Sequence, residues 1–249
     1  MDVKADIGIF GGSGFYEFLE NIIQVEVDTP YGKPSDKISI GEYRGKKVAF
    51  LPRHGKEHSI PPHKIPYRAN IYAMKELEVK QIISPCSCGS LNPEFKPGDF
   101  VVTDQFIDRT KGREDTYFEG PKVEHVSAAE PYDKDLRKIT ISAIEELDIK
   151  VHTKGTVVVI NGPRFSTKAE SKWFRQMGGD IVNMTQYPEC YLALELKIPF
   201  VNIALVTDYD SGLEGRDDIK PVTMEEVLEV FNKNVENVKK VIFKIIEKL

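Results

Sequence analysis

The run Phe200-Val201-Asn202-Ile203-Ala204-Leu205-Val206 constrains this chain more than any other segment. It is apolar at every position except Asn202 and lacks the alternation of a strand with one wet face. Such a run is a strand covered on both faces, as in parallel sheets with helices on each side. It ends in Thr207-Asp208-Tyr209-Asp210, which brings two carboxylates to the carboxyl edge, where open α/β sheets bind ligands. Alternate side chains on a strand point the same way, so extended backbone would let Asp208 and Asp210 converge on one object.

The rest of the chain supplies partners for that strand. Residues 6–10 form a short apolar strand running into Gly11-Gly12-Ser13-Gly14. Residues 25–27 and 37–43 read as antiparallel strands around Pro30 and Pro34, followed by a turn at Gly45 and a strand over 47–51. Further strands are expected at 81–85, 100–106, 154–160 and 180–184. Helices are expected at 67–77, 133–147, 169–177, 189–196 and 224–249, the last opened by the capping-box pattern Thr223-Met224-Glu225-Glu226. Residues 108–131 are polar and glycine-punctuated without periodicity, which suggests a long functional loop or an oligomer contact. Strand and helix alternation predicts an α/β fold: one domain over residues 1–249, three layers, a mixed central β-sheet flanked by helices.

Composition removes several classes of function. A net charge of −5 without a basic block argues against nucleic acid. Residues 1–6 lack the regions of a secretory leader and no segment approaches a membrane span, so a soluble cytoplasmic protein is expected, with no membrane partner. Cys86, Cys88 and Cys190 have neither metal spacing nor an even count. A strained Cys86–Cys88 disulfide is less favoured than two buried thiols.

Several strand ends carry groups suited to an anion or a flat ring. Gly11 to Gly14 offers backbone N–H groups and a hydroxyl to a phosphate, although the dinucleotide glycine spacing fails because Glu17 stands at its third position. Arg53-His54 follows a strand with a guanidinium fork and an imidazole. His54, His58 and His63 have no metal-binding spacing, since Pro61 and Pro62 interrupt any helix aligning them; no metal site is expected. Phe165, Ser166 and Thr167 combine an aromatic platform with hydroxyls, or simply cap the next helix. Met184 could underlie a sugar or belong to the core. Together these features suggest phosphate at one side of a site and a heterocycle at the other.

The ordered series Gly11-Gly12-Ser13-Gly14, Arg53-His54-Gly55, Cys88-Gly89-Ser90-Leu91, Gly162-Pro163-Arg164-Phe165-Ser166, Asn183-Met184-Thr185, Pro188-Glu189 and Thr207-Asp208-Tyr209-Asp210 resembles the purine nucleoside phosphorylase family over nearly the whole chain. Within it, the likeness is greatest to the methylthioadenosine phosphorylases. The resemblance implies a pentosyltransferase for purine and methionine salvage: phosphate displaces adenine from 5′-methylthioadenosine, leaving 5-methylthioribose 1-phosphate. Phosphate is then a co-substrate and no cofactor is needed.

By the same resemblance Ser13, Arg53, His54, Cys86, Ser87 and Thr185 hold phosphate, while Asn183 and Met184 serve the ribose. Phe165 and Ser166 line the purine pocket, with Ser166, Asp208 and Asp210 in the catalytic set. A protonated Asp208 would donate to purine N7, and Asp210 would raise its pKa by like-charge proximity or bind the 6-amino group. Met224, Val227 and Leu228 would surround the methylthio group, with His125 arriving from a neighbour in a trimer or a dimer of trimers. Gln186-Tyr187 departs from the family pattern, and an amide near the base could read a 6-oxo group. That keeps a 6-oxopurine or methylthioinosine phosphorylase open, as does, more remotely, a non-catalytic purine-binding module.

Overall fold

The computed structural model describes residues 3–11, 19–213, 216, 218–219 and 221–249. In chain order the strands are β1 Ile7–Gly11, β2 Glu20–Val25, β3 Ile38–Tyr43, β4 Lys46–Pro52, β5 Gln81–Ser90, β6 Phe100–Val102, β7 Gln105–Arg109, β8 Val151–His152, β9 Thr156–Ile160, β10 Ile181–Asn183 and β11 Phe200–Asp208. The helices are α1 Tyr67–Glu76, α2 Lys134–Glu145, α3 Lys168–Gln176, α4 Gln186–Glu195 and α5 Met224–Lys248.

The apolar run at 200–206 is the interior strand its composition implies. β11 pairs in parallel with β5 and antiparallel with β6. The sheet is mixed: β1 is parallel to β4 and β5, whereas β2–β3, β3–β4 and β5–β10 are antiparallel. Successive side chains leave the sheet on opposite faces, which builds three layers. Phe10 and Phe200 pack with Ile71 and Met74 of α1 and Leu192 of α4. Ile7, Ile9, Val201 and Ile203 pack on the other face with Leu136 of α2 and Ile242 and Ile245 of α5.

Two expectations need correction. The strand foreseen over 100–106 is broken at Thr103 and Asp104. There β6 leaves β11 and β8, and β7 joins β9. The break is held by hydrogen bonds outside the ladder: Arg137 donates to the Thr103 carbonyl (2.8 Å), and Gly155 N–H donates to the Asp104 carboxylate (2.9 Å). The first hairpin strand lies over Glu20–Val25 rather than 25–27, with Val25 facing Ile38.

Placement of the site follows from β5. One of its edges is covered by β11 from Ile82 to Gly89. The other pairs with β1 only through Ile83 and with β10 only from Gly89. Among the described residues, 84–88 therefore have no strand on that edge. This is the α/β arrangement in which neighbouring strands part and a crevice opens.

Candidate active site

Side chains fill the gap beside β5. Arg53 follows β4, whose end lies against that of β1 (Arg53 N–H to Gly11 carbonyl, 3.2 Å). Its guanidinium spans the gap, donating to the Pro85 carbonyl (3.3 Å) and Ser84 Oγ (2.7 Å), and forks onto Glu189 at 2.6 and 2.8 Å. Arg53 is 4% exposed and Glu189 wholly buried. Burial works against the Arg53 charge, and Glu189 more than offsets it, holding the guanidinium above its ordinary range. Four of its five N–H bonds are committed, so one at Nη1 remains for a ligand. Glu189 was legible only as part of the quoted Pro188-Glu189 pair. An acid inside a buried helix requires a cation, and that requirement is the signal for its role.

His54 donates or accepts at Nδ1 with the Ile60 carbonyl at 2.8 Å, and a carbonyl can only accept, so Nδ1 carries the proton. Burial pushes the imidazole down to about 4. The ring is neutral at pH 7, and its Nε2 is an acceptor rather than a second cation beside Arg53. His54 stacks on His58 at 4.5 Å.

Cys86 and Ser87 line the same stretch of β5. The Cys86 sulfur accepts from Asn202 Nδ2 (3.2 Å), and burial pushes its thiol up to about 11, so it stays protonated. All three cysteines are free. Asn183 bridges the gap from β10: Nδ2 donates to the Ser87 carbonyl (2.9 Å), and Oδ1 accepts from Thr185 N–H (2.6 Å) and Gln186 N–H (2.8 Å). Its amide thus holds Thr185 and opens α4. Thr185 is buried with its hydroxyl against Asn183. Ser13 lies outside the described residues.

The Gln186 side-chain nitrogen faces Cys86 Sγ at 3.7 Å, and among the described residues its buried Oε1 has no hydrogen-bond partner. The groups expected to read the base are Ser166, Asp208 and Asp210.

Those groups gather at the end of β11. The backbone does not stay extended: a bulge separates Val206 from Asp208, and Asp210 has φ +49°. Asp208 Oδ1 accepts from the Asp210 N–H (2.7 Å) and Oδ2 from the Thr207 hydroxyl (2.7 Å). The two acids are brought together by a turn, not by strand alternation. Burial is the main cause that raises the Asp208 carboxyl to about 6; the two hydrogen bonds oppose it, and the charges of Asp210 and Glu226 add smaller upward pushes. The like-charge push expected of Asp210 is present and smaller than that of burial. Burial likewise raises Asp210, against the Ser171 and Ser166 hydroxyls.

Ser166 and Asp210 are 8% and 3% exposed, and among the described residues neither Ser166 Oγ nor Asp210 Oδ2 has a partner within hydrogen-bond geometry. The Ser211 hydroxyl donates to the Ser166 carbonyl and fixes the 161–166 turn to the 208–211 turn. Gly89 floors this corner, since a Cβ there would lie 2.7 Å from Asp208 Oδ1.

Phe165 and Met184 are half-buried, each directly before a buried site residue, Ser166 and Thr185. Gly162, at φ +62°, brings its turn under Met184, where a Cβ would meet the thioether sulfur at 2.6 Å. Met224 and Leu228 are 49% and 47% exposed, and Val227 is intermediate, so the start of α5 presents an uncovered apolar face. The Val222 N–H donates to the Asp210 carbonyl (2.9 Å), which ties the start of that helix to the acids. His125 is exposed on the long loop and makes none of these contacts. Among the described residues no three His, Cys, Asp or Glu side chains are grouped to hold a metal ion.

The arrangement offers an oxyanion corner, a half-buried thioether and a corner of raised-pKa acids in one crevice. Comparison with known proteins agrees with that chemistry. Residues 6–247 match the model of the phosphorylase superfamily. The S-methyl-5′-thioadenosine phosphorylase of Thermofilum pendens is 54% identical over 241 residues, 96% of this chain and 90% of the relative. A methylthioadenosine phosphorylase from an antarctic soil metagenomic library superposes with a TM-score of 0.92 at 44% identity, covering 98% of this chain and 86% of that one. The methylthioadenosine phosphorylase of Schistosoma mansoni in complex with adenine gives a TM-score of 0.90 at 39% identity, over 98% of this chain and 91% of that one.

Proposed function

The chain belongs to the phosphorylase superfamily, and on that premise we propose that it cleaves S-methyl-5′-thioadenosine with inorganic phosphate, releasing adenine and 5-methylthioribose 1-phosphate. It is a pentosyltransferase, and phosphate is its co-substrate rather than a cofactor. The reading rests above all on Asp208, a half-buried carboxyl at the end of the central strand, held by the Thr207 hydroxyl and the Asp210 N–H and raised to about 6.

As the C1′–N9 bond breaks, electron density moves onto the purine and a phosphate oxygen takes its place at C1′. A protonated Asp208 donates to N7 of the departing adenine, and the hydrogen phosphate gives up one proton in the overall exchange, which returns Asp208 to its acid form. Stabilising charge as it develops is the larger part of such catalysis. Asp210 and Ser166 serve the 6-amino side, each with a buried polar atom that has no partner among the described residues. An ionised Asp210 accepts from an amino group and repels a 6-oxo oxygen, which favours adenine.

On the phosphate side, Arg53 supplies its remaining N–H, with Ser13, Ser87, Thr185 and the backbone at Cys86 as further donors. Neutral His54 accepts a hydrogen bond from the phosphate hydroxyl at Nε2. Met184 and Phe165 carry the ribose and the base. The apolar face of Met224, Val227 and Leu228 takes the methylthio group, closed by His125 of a neighbouring copy in a trimer or hexamer. Three unpaired thiols suit a reducing, cytoplasmic setting.

Assays with methylthioadenosine, adenosine, methylthioinosine and inosine, each with and without phosphate, test the reading. Phosphate-dependent adenine release with methylthioadenosine preferred is the expected result. Preference for either inosine substrate, or base binding without release, would sink it.

A further inference from the structure

The long loop over residues 108–131 carries one side chain that touches nearly every wall of the nucleoside pocket. Arg113 reaches inward from it. Nη2 donates to the carbonyls of Met184 (2.8 Å), Asn161 (3.1 Å) and Ile160 (3.3 Å). Nη1 donates to the carbonyl of Tyr187 and to the Tyr67 hydroxyl (3.3 Å), and the guanidinium lies 5.0 Å from the Tyr67 ring centroid. Tyr67 in turn donates to the Pro62 carbonyl at 2.8 Å. These acceptors come from four separate places: the exit of β9, the exit of β10, the start of α4 and the start of α1.

All of Arg113's hydrogen bonds go to neutral acceptors. A half-buried cation set mainly against carbonyls forgoes the stronger attraction of a carboxylate, and its partial burial lowers its pKa. What the fork gains is geometric. The carbonyls it gathers terminate two strands that have no ladder partner beyond those points, and a planar fork with five N–H groups holds several acceptors at fixed spacing.

We propose that Arg113 is a positioning residue for the proposed phosphorolysis: it sets the distance between the turn carrying Phe165 and Ser166 and the turn carrying Met184 and Thr185, and so fixes the width of the nucleoside pocket. A residue in this role governs nucleoside binding more than the phosphate site, whose Arg53, Ser84 and Glu189 are braced independently.

The proposal rests on the function assigned above, so its test has one arm that needs no turnover. Amide hydrogen exchange on Arg113→Ala should rise in both 161–167 and 184–187, while 81–88 stays protected. In steady-state assays KM for methylthioadenosine should rise about 10- to 100-fold, with a smaller change in KM for phosphate. Added guanidinium ion should recover part of the loss. Arg113→Lys, which keeps the charge on a single ammonium and is the safer variant for folding, should remain impaired and show the same two exchanging segments.

Unchanged exchange in both segments overturns the proposal whether or not the parent turns over methylthioadenosine. Full recovery in the lysine variant overturns it too, by showing that charge rather than the fork matters. An inactive parent whose Arg113→Ala variant still loosens both segments refutes the function and leaves the brace standing.

Discussion

Replacing Gly89 with alanine tests how closely the acid corner is built. The new methyl carbon would stand 2.7 Å from Asp208 Oδ1, 3.1 Å from Asp210 N and 3.2 Å from Asp210 Cα. Two of these neighbours are backbone, so the carboxyl must yield. Restoring ordinary contact moves Oδ1 by roughly 0.7 Å. That shift breaks or lengthens the 2.7 Å bond from the Asp210 N–H, which orients the group. Misplacing a catalytic group by about 1 Å costs about 10²-fold, so kcat/KM for methylthioadenosine should fall about 10- to 100-fold. Overpacking should also cost about 1–3 kcal/mol in stability. The assay is phosphorolysis at saturating phosphate on protein shown to be folded by thermal melting. A variant within about twofold of the parent would refute the seat assigned to Asp208.

Asp208 should impose a pH dependence of definite sign. Its folded-state pKa of about 6 lies above the ordinary 3.8, so the folded protein holds a proton that the unfolded chain has lost. Stability from this group is complete below about 4 and falls as pH rises to about 6. Asp208→Asn should therefore gain on the parent in melting temperature across that interval, and a constant offset would contradict it. In the same variant kcat/KM should lose its alkaline limb near pH 6 and fall far more for 6-amino than for 6-oxo substrates; equal losses would remove Asp208 from the base-reading role. Glu189→Gln strands the Arg53 charge and should cost about 3–5 kcal/mol in denaturant unfolding while raising KM for phosphate; a neutral result would mean that the fork does not depend on the acid. Gln186→Leu should leave the ratio of adenine to hypoxanthine substrates unchanged and alter KM for phosphate, and a ratio shifted about tenfold or more would return that amide to the base pocket.

Local chemistry made much of this protein legible from its sequence. An apolar run such as 200–206 can only be buried, and Thr223 with Glu226 can only open a helix, so strands, helices and the three-layer arrangement follow from periodicity and capping. Motif order pointed to Arg53, His54, Thr185, Ser166 and Asp208 because each stands at the end of such an element. Tertiary structure decided what depends on neighbours distant in the chain. Glu189 is 136 residues from the arginine it pairs with. Arg113 draws on carbonyls 47 to 74 residues away, and carbonyls carry no sequence signature. The break at Thr103 and the turn at Asp210 arise where the chain changes pairing partners. The sequence supplied the two aspartates at 208 and 210, but their burial, and with it the proton that Asp208 keeps to about pH 6, exists only in the folded crevice.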